Sequence, residues 1–200
     1  MSQTVFIVDD DEAMRDALAQ LLESAGLRVE VHAGGTAFLP AYDAGRSGCL
    51  LLDMAMPGMT GLEVQAALKA RGLEIPIVFL TGHGDIPLAV RAVQAGAVDF
   101  LEKPIKGAVL IERVQRALKL DEEWRQTKRR AQDILQRHAR LSEREKEVMT
   151  LAVFGLTSKE ISRELGISPR TVEVHRTHVM HKMGAANVAE LVNMAAYCNP

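Results

Sequence analysis

Four apolar segments of this sequence end at residues whose side chains could do chemistry together. Asp9 and Asp10 follow the first segment, Asp53 follows the second, Thr81 follows the third, and Lys103 lies shortly after the fourth. Crowded carboxylates repel one another, so the three aspartates need a proton or a cation to balance them. Hard oxygen ligands that leave positions for water and a phosphate suit Mg²⁺. The set therefore predicts a magnesium site at which a phosphoryl group is handled.

The same residues indicate which group reacts and which groups assist. With the metal bound, the remaining oxygen of Asp53 is a nucleophile for a phosphoryl group, a role that carboxylates have in other proteins. Lys103 can offset the charge on that group, and Thr81 offers a hydroxyl donor. The sequence contains no GxxxxGK[ST] loop to cradle a nucleotide, so we expect the phosphoryl donor to be another molecule.

The apolar segments alternate with segments of helical periodicity. Short apolar runs bounded by turn residues are typical of strands buried on both faces of a parallel sheet. The alternation predicts an α/β fold with five strands and five helices, a doubly wound, flavodoxin-like sheet whose ligand site lies beyond the carboxyl ends of the strands. One predicted helix begins at the cap Thr36 and ends near Ala44, and another spans Ile86 to Ala95.

The bulk composition suits one large domain or two small ones and excludes a membrane-spanning protein. The chain has 200 residues, of which 48% are apolar, and no apolar run approaches the roughly 20 residues that span a bilayer. Cys49 lies in a predicted buried strand and Cys198 in the C-terminal tail, so no structural disulfide is expected. We therefore expect a cytoplasmic protein with no membrane partner. The net charge is −4 over residues 1–120 and +2 over residues 121–200, which indicates that the second half meets polyanions.

A long helix is predicted from about Gly107 towards His138. Apolar residues recur along it at alternating spacings of three and four, from Ala117 to Leu141, in a heptad-like seam that Thr127 and His138 degrade. The seam leaves two interpretations open. The helix is either a connector that packs one stripe on its own protein or part of a dimeric coiled coil.

The remaining residues predict four short helices. Ser142 and Glu145 have the spacing of a capping box at the start of the first. A tight turn that begins with Gly166 separates the second helix from the third, which is the signature of a helix-turn-helix. The predicted helices end near Phe154, Leu165, Met183 and Ala196.

These segments together resemble a known family. The first half is similar to a two-component receiver domain in the runs Val8-Asp9-Asp10, Leu52-Asp53 with Met56-Pro57-Gly58, Thr81-Gly82-His83-Gly84-Asp85 and Lys103-Pro104. The second half resembles the LuxR-type helix-turn-helix in Leu141-Ser142-x-Arg144-Glu145, Lys159-Glu160-Ile161, Thr171-Val172-x-x-His175 and Lys182-Met183-Gly184. The pair resembles FixJ-type transcriptional response regulators, and the Thr-Gly-His-Gly-Asp run is especially like that subgroup.

The resemblance implies a role for each residue of the predicted phosphoryl site. It makes Asp53 the phosphoacceptor and Lys103 its phosphoryl partner, joined to Pro104 by a cis peptide bond. Thr81 and Phe100 become the switch pair. The implied ligands of Mg²⁺ are Asp9, Asp10, Asp53 and the backbone carbonyl of Ala55. One departure is Ile105, where the subgroup usually has Phe, and we expect a repacked corner there without loss of chemistry.

The resemblance also implies how the third short helix meets double-stranded promoter DNA. Glu173, Val174 and Thr177 are expected to face bases in the major groove. The expected phosphate contacts are Lys159, Arg170, Arg176 and Lys182. His175 and His178 could suggest a metal pair, but no Cys or carboxylate lies beside them, so packing and phosphate contact are favoured.

We therefore expect a transcriptional response regulator with a receiver at 1–120, a linker helix at 121–138 and an all-α, four-helix LuxR-type domain at 139–200. A sensor histidine kinase would phosphorylate Asp53, and the protein would dimerise, bind promoter DNA and activate transcription through RNA polymerase. A phosphoaspartyl hydrolase is disfavoured because Ala55 stands where a general acid is needed, so no enzyme is expected beyond self-phosphorylation and autodephosphorylation. The alternative is a phosphorylation-independent DNA-binding protein whose first half only mediates dimerisation.

Overall fold

The computed structural model describes residues 3–82 and 91–198. The chain divides into two compact units, Met1–Trp124 and Arg125–Pro200, and each is described by itself. In the described parts, no helix is both long enough and apolar enough to cross a membrane.

The first unit alternates strands and helices along the chain. Its strands are β1 (Thr4–Val8), β2 (Arg28–His32), β3 (Gly48–Asp53), β4 (Ile77–Thr81) and β5 (Asp99–Glu102). The helices are α1 (Glu12–Ser24), α2 (Gly35–Ala41), α3 (Gly61–Ala70) and α4 (91–94), and the first part of α5 (Gly107–Ala139) also belongs here.

The strands form one parallel sheet in the order β2-β1-β3-β4-β5. Successive residues of a strand point to opposite faces, and both faces are buried here. Leu50 and Leu52 pack in the cluster on one face, while Leu51 packs with α1 and α5 residues on the other. The doubly wound, flavodoxin-like prediction is confirmed, and it places the ends of β1, β3 and β4 side by side.

The second helix differs from the sequence prediction. It spans Gly35–Ala41 with Gly34 at the N-cap, so Thr36 is not its cap and it does not reach Ala44. The backbone turns extended at Tyr42, because that side chain is only 4% exposed and its ring packs edge-on against Phe6 at 5.4 Å between centroids. Of the helix predicted over Ile86–Ala95, residues 86–90 lie outside the described part and 91–94 are helical.

The edge of the sheet opposite the predicted site is held by α5. Asp121 is 1% exposed, accepts a hydrogen bond from the Ser47 hydroxyl at 2.6 Å and accepts another from the Gly48 amide at 2.9 Å. Gly48 has φ +155°, and a Cβ there would lie 1.8 Å from the backbone oxygen of Thr4. Asp121 and Gly48 thus fix where β3 enters the sheet.

The second unit contains the last part of α5 and four shorter helices, α6 (Glu143–Val153), α7 (Ser158–Leu165), α8 (Pro169–Met183) and α9 (Val188–Ala195). Ile134 of α5 is buried with Val179 and Leu191 in the core of this unit, whereas Ala117 of α5 is buried in the core of the first unit. The apolar seam of α5 therefore packs on its own protein at both ends.

Candidate functional site

The acidic residues after β1 are held in place by α1. Asp11 is the N-cap of that helix and accepts hydrogen bonds from the amides of Ala13 and Met14. Its own amide donates to Oδ1 of Asp9 at 3.0 Å. From the next turn, Arg15 donates to the backbone carbonyls of Asp9 at 2.8 Å and of Asp10 at 2.9 Å. The acidic turn is thus fixed by hydrogen bonds from Arg15 to its backbone and from backbone amides to the carboxylates of Asp9 and Asp11.

Asp53 ends the central strand and is only 5% exposed. The amide of Ala55 donates to its Oδ2 at 2.9 Å. Burial raises the pKa of the Asp53 carboxyl above its ordinary value, and the nearby Asp9 acts in the same direction, while hydrogen bonding to Lys103 and the charge of that residue oppose them. The carboxylate is therefore poorly hydrated, and one cation stabilises its charge.

That cation is Lys103, which bridges the two strand ends. Its Nζ donates to Oδ1 of Asp53 at 2.6 Å and to Oδ2 of Asp9 at 2.7 Å. Burial opposes its charge most strongly, but the two carboxylates outweigh burial and raise the pKa of Lys103 above its ordinary value. The Lys103 amide donates to the carbonyl of Thr81 at 2.7 Å, and the Lys103–Pro104 bond is cis, as expected.

The two residues of the expected switch pair lie on the neighbouring strands β4 and β5. Thr81 is 6% exposed at the end of β4. Phe100 is half-buried, opposite Phe79, and packs against the cluster that includes Ala92 and Ala97. Thr81 therefore belongs to the same strand-end edge as Asp53, and Phe100 lies on the α4 side of the sheet.

The oxygen atoms at this edge are of the kind that Mg²⁺ prefers as ligands. Asp9 and Asp53 are buried, and Asp10 is exposed. Asp9 and Asp10 follow β1, Asp53 is the last residue of β3, and Ala55 lies two residues after Asp53. Within the described residues no group of three or more His, Cys, Asp or Glu side chains is spaced to hold a metal ion. Mg²⁺ keeps several waters and uses one or two carboxylates, so the pair bridged by Lys103 together with backbone oxygen is compatible with it.

Sequence reasoning found Asp9, Asp53, Thr81 and Lys103, which the structure brings to one edge, and it missed two supporting residues. Asp11 had a recognisable signal, because an Asp immediately before a helical pattern is a preferred N-cap. Arg15 had none, since nothing in its spacing shows that its guanidinium turns back onto the β1–α1 loop.

The second unit presents α8 as a helix with one buried and one exposed face. Gly166 adopts a left-handed conformation with φ 65° that ends α7, and Ser168 caps α8. Val172 and Val179 of α8 are buried in the cores of the unit. The exposed side contains the residues expected to contact DNA, together with Lys159 of α7: Arg170, Glu173, Val174 and Thr177.

Two of the expected phosphate contacts have partners within the unit. Lys182 donates to Oε2 of Glu145 at 2.6 Å, and Glu145 is 4% exposed. Lys182, followed by the Ser142 amide, lowers the pKa of the Glu145 carboxyl to about 2. Arg176 is half-buried and donates to the carbonyl of Leu156 at 3.4 Å. Lys182 is thus part of the support of α6, a role that the sequence did not reveal.

His175 and His178 of α8 have different neighbours in the described structure. Nδ1 of His175 is buried and has no hydrogen-bond partner among the described residues. Nδ1 of His178 lies 3.7 Å from Oε1 of Glu145. The two imidazoles are therefore in different surroundings, one packed and one near a carboxylate.

Two family models match the chain in succession. The model of the response regulator receiver domain matches residues 5–115, and the model of bacterial regulatory proteins of the luxR family matches residues 139–195. The matched segments cover the edge that contains Asp53 and the helices α6 to α9.

Relatives match both segments together. The transcriptional regulatory protein FixJ of Azorhizobium caulinodans is 48% identical over 97% of this chain and 92% of its own. FixJ of Bradyrhizobium diazoefficiens is 46% identical over 96% and 93%. Among solved structures, the response regulator StyR has a TM-score of 0.88 at 43% identity over 98% and 99% of the two chains. Full-length FixJ from B. japonicum has a TM-score of 0.61 at 44% identity over 98% of each.

Membership of this family implies a sensor kinase as partner and DNA as ligand, and makes the protein a transcription factor rather than a catalytic enzyme. Three observations support the same family. They are the geometry at Asp53, the helix-turn-helix formed by α7 and α8, and the matches over almost the whole chain. The chain belongs to the two-component response regulators of the FixJ type.

Proposed function

We propose that Asp53 accepts a phosphoryl group from a sensor histidine kinase and that this modification controls binding to promoter DNA. The observation that supports Asp53 most strongly is the ammonium of Lys103, which lies within hydrogen-bonding distance of both Asp53 and Asp9. A passive dimerisation module would gain nothing from burying these carboxylates at a strand edge, because desolvation of a charge is costly.

The proposed reaction transfers one phosphoryl group in line. An oxygen of Asp53 forms a bond to phosphorus as the bond from phosphorus to the donor's leaving atom breaks. Lys103 stays paired with Asp9 and offsets the negative charge of the phosphoryl group on Asp53. The Thr81 hydroxyl donates a hydrogen bond to a phosphoryl oxygen. Mg²⁺ held by Asp9, Asp10, Asp53 and the carbonyl of Ala55 would neutralise charge on the transferred group. The same site would support self-phosphorylation from a small donor and slow autodephosphorylation.

The switch is proposed to run through Thr81 and Phe100. Drawing Thr81 towards the phosphoryl group vacates space beside β5, and Phe100 turns into it. The affected face includes Val93, which is 55% exposed, and Ala97, which is buried. Covering an apolar margin of this kind with a second copy would give a homodimer on phosphorylation.

The proposed DNA contacts divide into base-reading and backbone contacts. Glu173, Val174 and Thr177 are proposed to face bases, and the 48% exposed Val174 suits an apolar contact with a thymine methyl group. Lys159, Arg170 and Arg176 are proposed to meet phosphates. Lys182 is proposed as a weaker phosphate contact, since its ammonium is shared with Glu145.

Several broader predictions stay proposals as well. The division into 1–120, 121–138 and 139–200 is a division of function, although Asp121 and Ile134 already pack within the compact units. Activation of transcription through RNA polymerase and a cytoplasmic location are proposed from the same family resemblance.

Intact mass measurement tests the proposed function. The protein is incubated with Mg²⁺ and acetyl phosphate and then weighed, and one alkali-labile phosphoryl adduct is expected. The matched control is Asp53→Asn, which keeps the size of the side chain and should take up none. Equal modification of both proteins would refute Asp53 as the acceptor. Absence of an adduct on the wild type would favour the passive dimerisation module.

A further inference from the structure

Two side chains near the end of α5 hold helix α8 in the second unit. Ile134 is 2% exposed and is buried in the same core as Val179 of α8. Arg137 donates a hydrogen bond from Nη1 to the backbone carbonyl of Met183, the last residue of α8, at 2.8 Å. Helix α8 is therefore joined to α5 both along its side and at its C-terminal end.

The contact of Arg137 satisfies the end of α8. The last carbonyls of a helix have no partner within the helix and carry partial negative charge, so a cation is favourable there. Helix α8 ends at Gly184, which has a left-handed φ of 69°, and a Cβ at Gly184 would overlap Nη1 of Arg137. The guanidinium therefore lies directly against the helix end. Its Nη2 also pairs with Oδ2 of Asp133 on α5 at 2.8 Å, which orients it relative to α5.

The held end of α8 is far from the residues that are proposed to read bases. Glu173 precedes Met183 by ten residues, which is about 15 Å along a helix. A tilt of about 10° about the C-terminal end would move Glu173 by roughly 3 Å. A hydrogen bond to a base edge does not survive a displacement of that size. Attraction between cations and phosphates carries no sequence information and depends much less on exact placement.

We infer that Arg137 is a positioning residue for the reading of DNA sequence by α8. It fixes the direction of α8 relative to α5, so that side chains in the first half of α8 reach the base edges. The inference rests on the proposed base contacts of Glu173, Val174 and Thr177, and it adds a residue on another helix that those contacts require. Loss of the Arg137 contact should lower the preference for one sequence and leave the general attraction to DNA in place.

The test measures the affinity of the full-length protein for two duplexes, one selected from a random pool by the wild type and one with the same bases in scrambled order. All proteins first receive the same treatment with Mg²⁺ and acetyl phosphate. Arg137→Met keeps the aliphatic length of the side chain and removes its donors. We expect it to bind the selected duplex at least tenfold more weakly. Arg137→Lys keeps a cation that can donate to the Met183 carbonyl, and it should recover most of the preference.

The matched control is Arg140→Met, which removes the same charge from an exposed residue just beyond α5. It should leave the preference for the selected duplex unchanged. Arg137→Met should bind the scrambled duplex no more weakly than this control does. Circular dichroism checks the folding of each variant. If Arg137→Met does not fold, Arg137→Gln, which has a shorter polar end group, takes its place in the same comparison.

The outcomes separate positioning from other roles of Arg137. A merely structural role would lower the fraction of binding-competent protein and weaken both duplexes by the same factor, which would overturn the inference. An unchanged preference in Arg137→Met, or an equal loss of preference in Arg140→Met, would overturn it too. A wild type that binds both duplexes equally would instead refute the proposed base contacts, and the inference would fall with them.

Discussion

The ion pair between Lys182 and Glu145 should stabilise the second unit measurably. A pKa lowered from 4.5 to about 2 for Glu145 corresponds to about 3 kcal/mol at about 1.4 kcal/mol per pKa unit. The Lys182 side chain is 38% exposed, so solvent screens the pair and a contribution of roughly 1–2 kcal/mol is more realistic. Glu145→Gln should therefore lower the free energy of unfolding of this unit by roughly 1–2 kcal/mol at pH 7.

The opposite replacement should cost more. Lys182→Met leaves a buried carboxylate without its cation. An unpaired buried charge destabilises a protein by more than the net stabilisation that the intact ion pair provided. Because the pKa of folded Glu145 is below its unfolded value, the stabilisation is complete above about pH 4.5 and is lost as pH falls towards about 2. The effect of Glu145→Gln should accordingly shrink on acidification.

Urea unfolding followed by the NMR signals of α8 amides measures this unit in the full-length chain. The matched control is Glu143→Gln, since Glu143 pairs with Lys146 at 2.7 Å but is 86% exposed, and its loss should not change stability measurably. Equal unfolding midpoints for wild type and Glu145→Gln at pH 7 would refute the reasoning. An effect of Glu145→Gln that grows below pH 4 would refute the assigned direction of the pKa shift.

Three further predictions concern the fold, the acidic edge and DNA. Gly48→Ala should destabilise the first unit by about 3 kcal/mol because its Cβ would overlap the Thr4 oxygen; Gly72→Ala, with open space around it, should cost about 1 kcal/mol in the same urea titration. Asp53→Asn should match or exceed the melting temperature of the wild type at pH 7 without metal. Folding raises the pKa of the Asp53 carboxyl and therefore disfavours its ionised form. The difference in melting temperature should vanish at a pH below the ordinary pKa of an aspartate in the unfolded chain. Thr177→Ala should change the base preferred at one position by about 1–3 kcal/mol in selection from random duplexes, whereas Arg170→Ala should weaken all sequences alike and lower the salt slope by about one.

The sheet was predictable because its signals are local and repeated. Each buried strand is a short apolar run, and Asp9, Asp53 and Thr81 mark where three of the runs end. The capping-box pattern at Ser142 likewise placed the start of α6 at Glu143. Where consecutive residues determine the structure, the sequence was sufficient.

Contacts between distant segments that lie outside the predicted phosphoryl site were not predictable. Tyr42 ends α2 because its ring is needed beside Phe6, and no local pattern shows that. Lys182 looked like a surface cation, yet its partner Glu145 is 37 residues away in sequence. Asp121 lay in the predicted linker but bonds to Ser47 and Gly48 across the fold.

The most direct test of the central claim is the affinity of the protein for a duplex selected from a random pool, measured with and without acetyl phosphate and Mg²⁺. Phosphorylation of Asp53 is predicted to tighten binding by about 5- to 150-fold, the usual range of coupling between two sites, and Asp53→Asn should show no change. The same affinity for the modified and unmodified wild type, with complete modification verified by mass, would contradict the account.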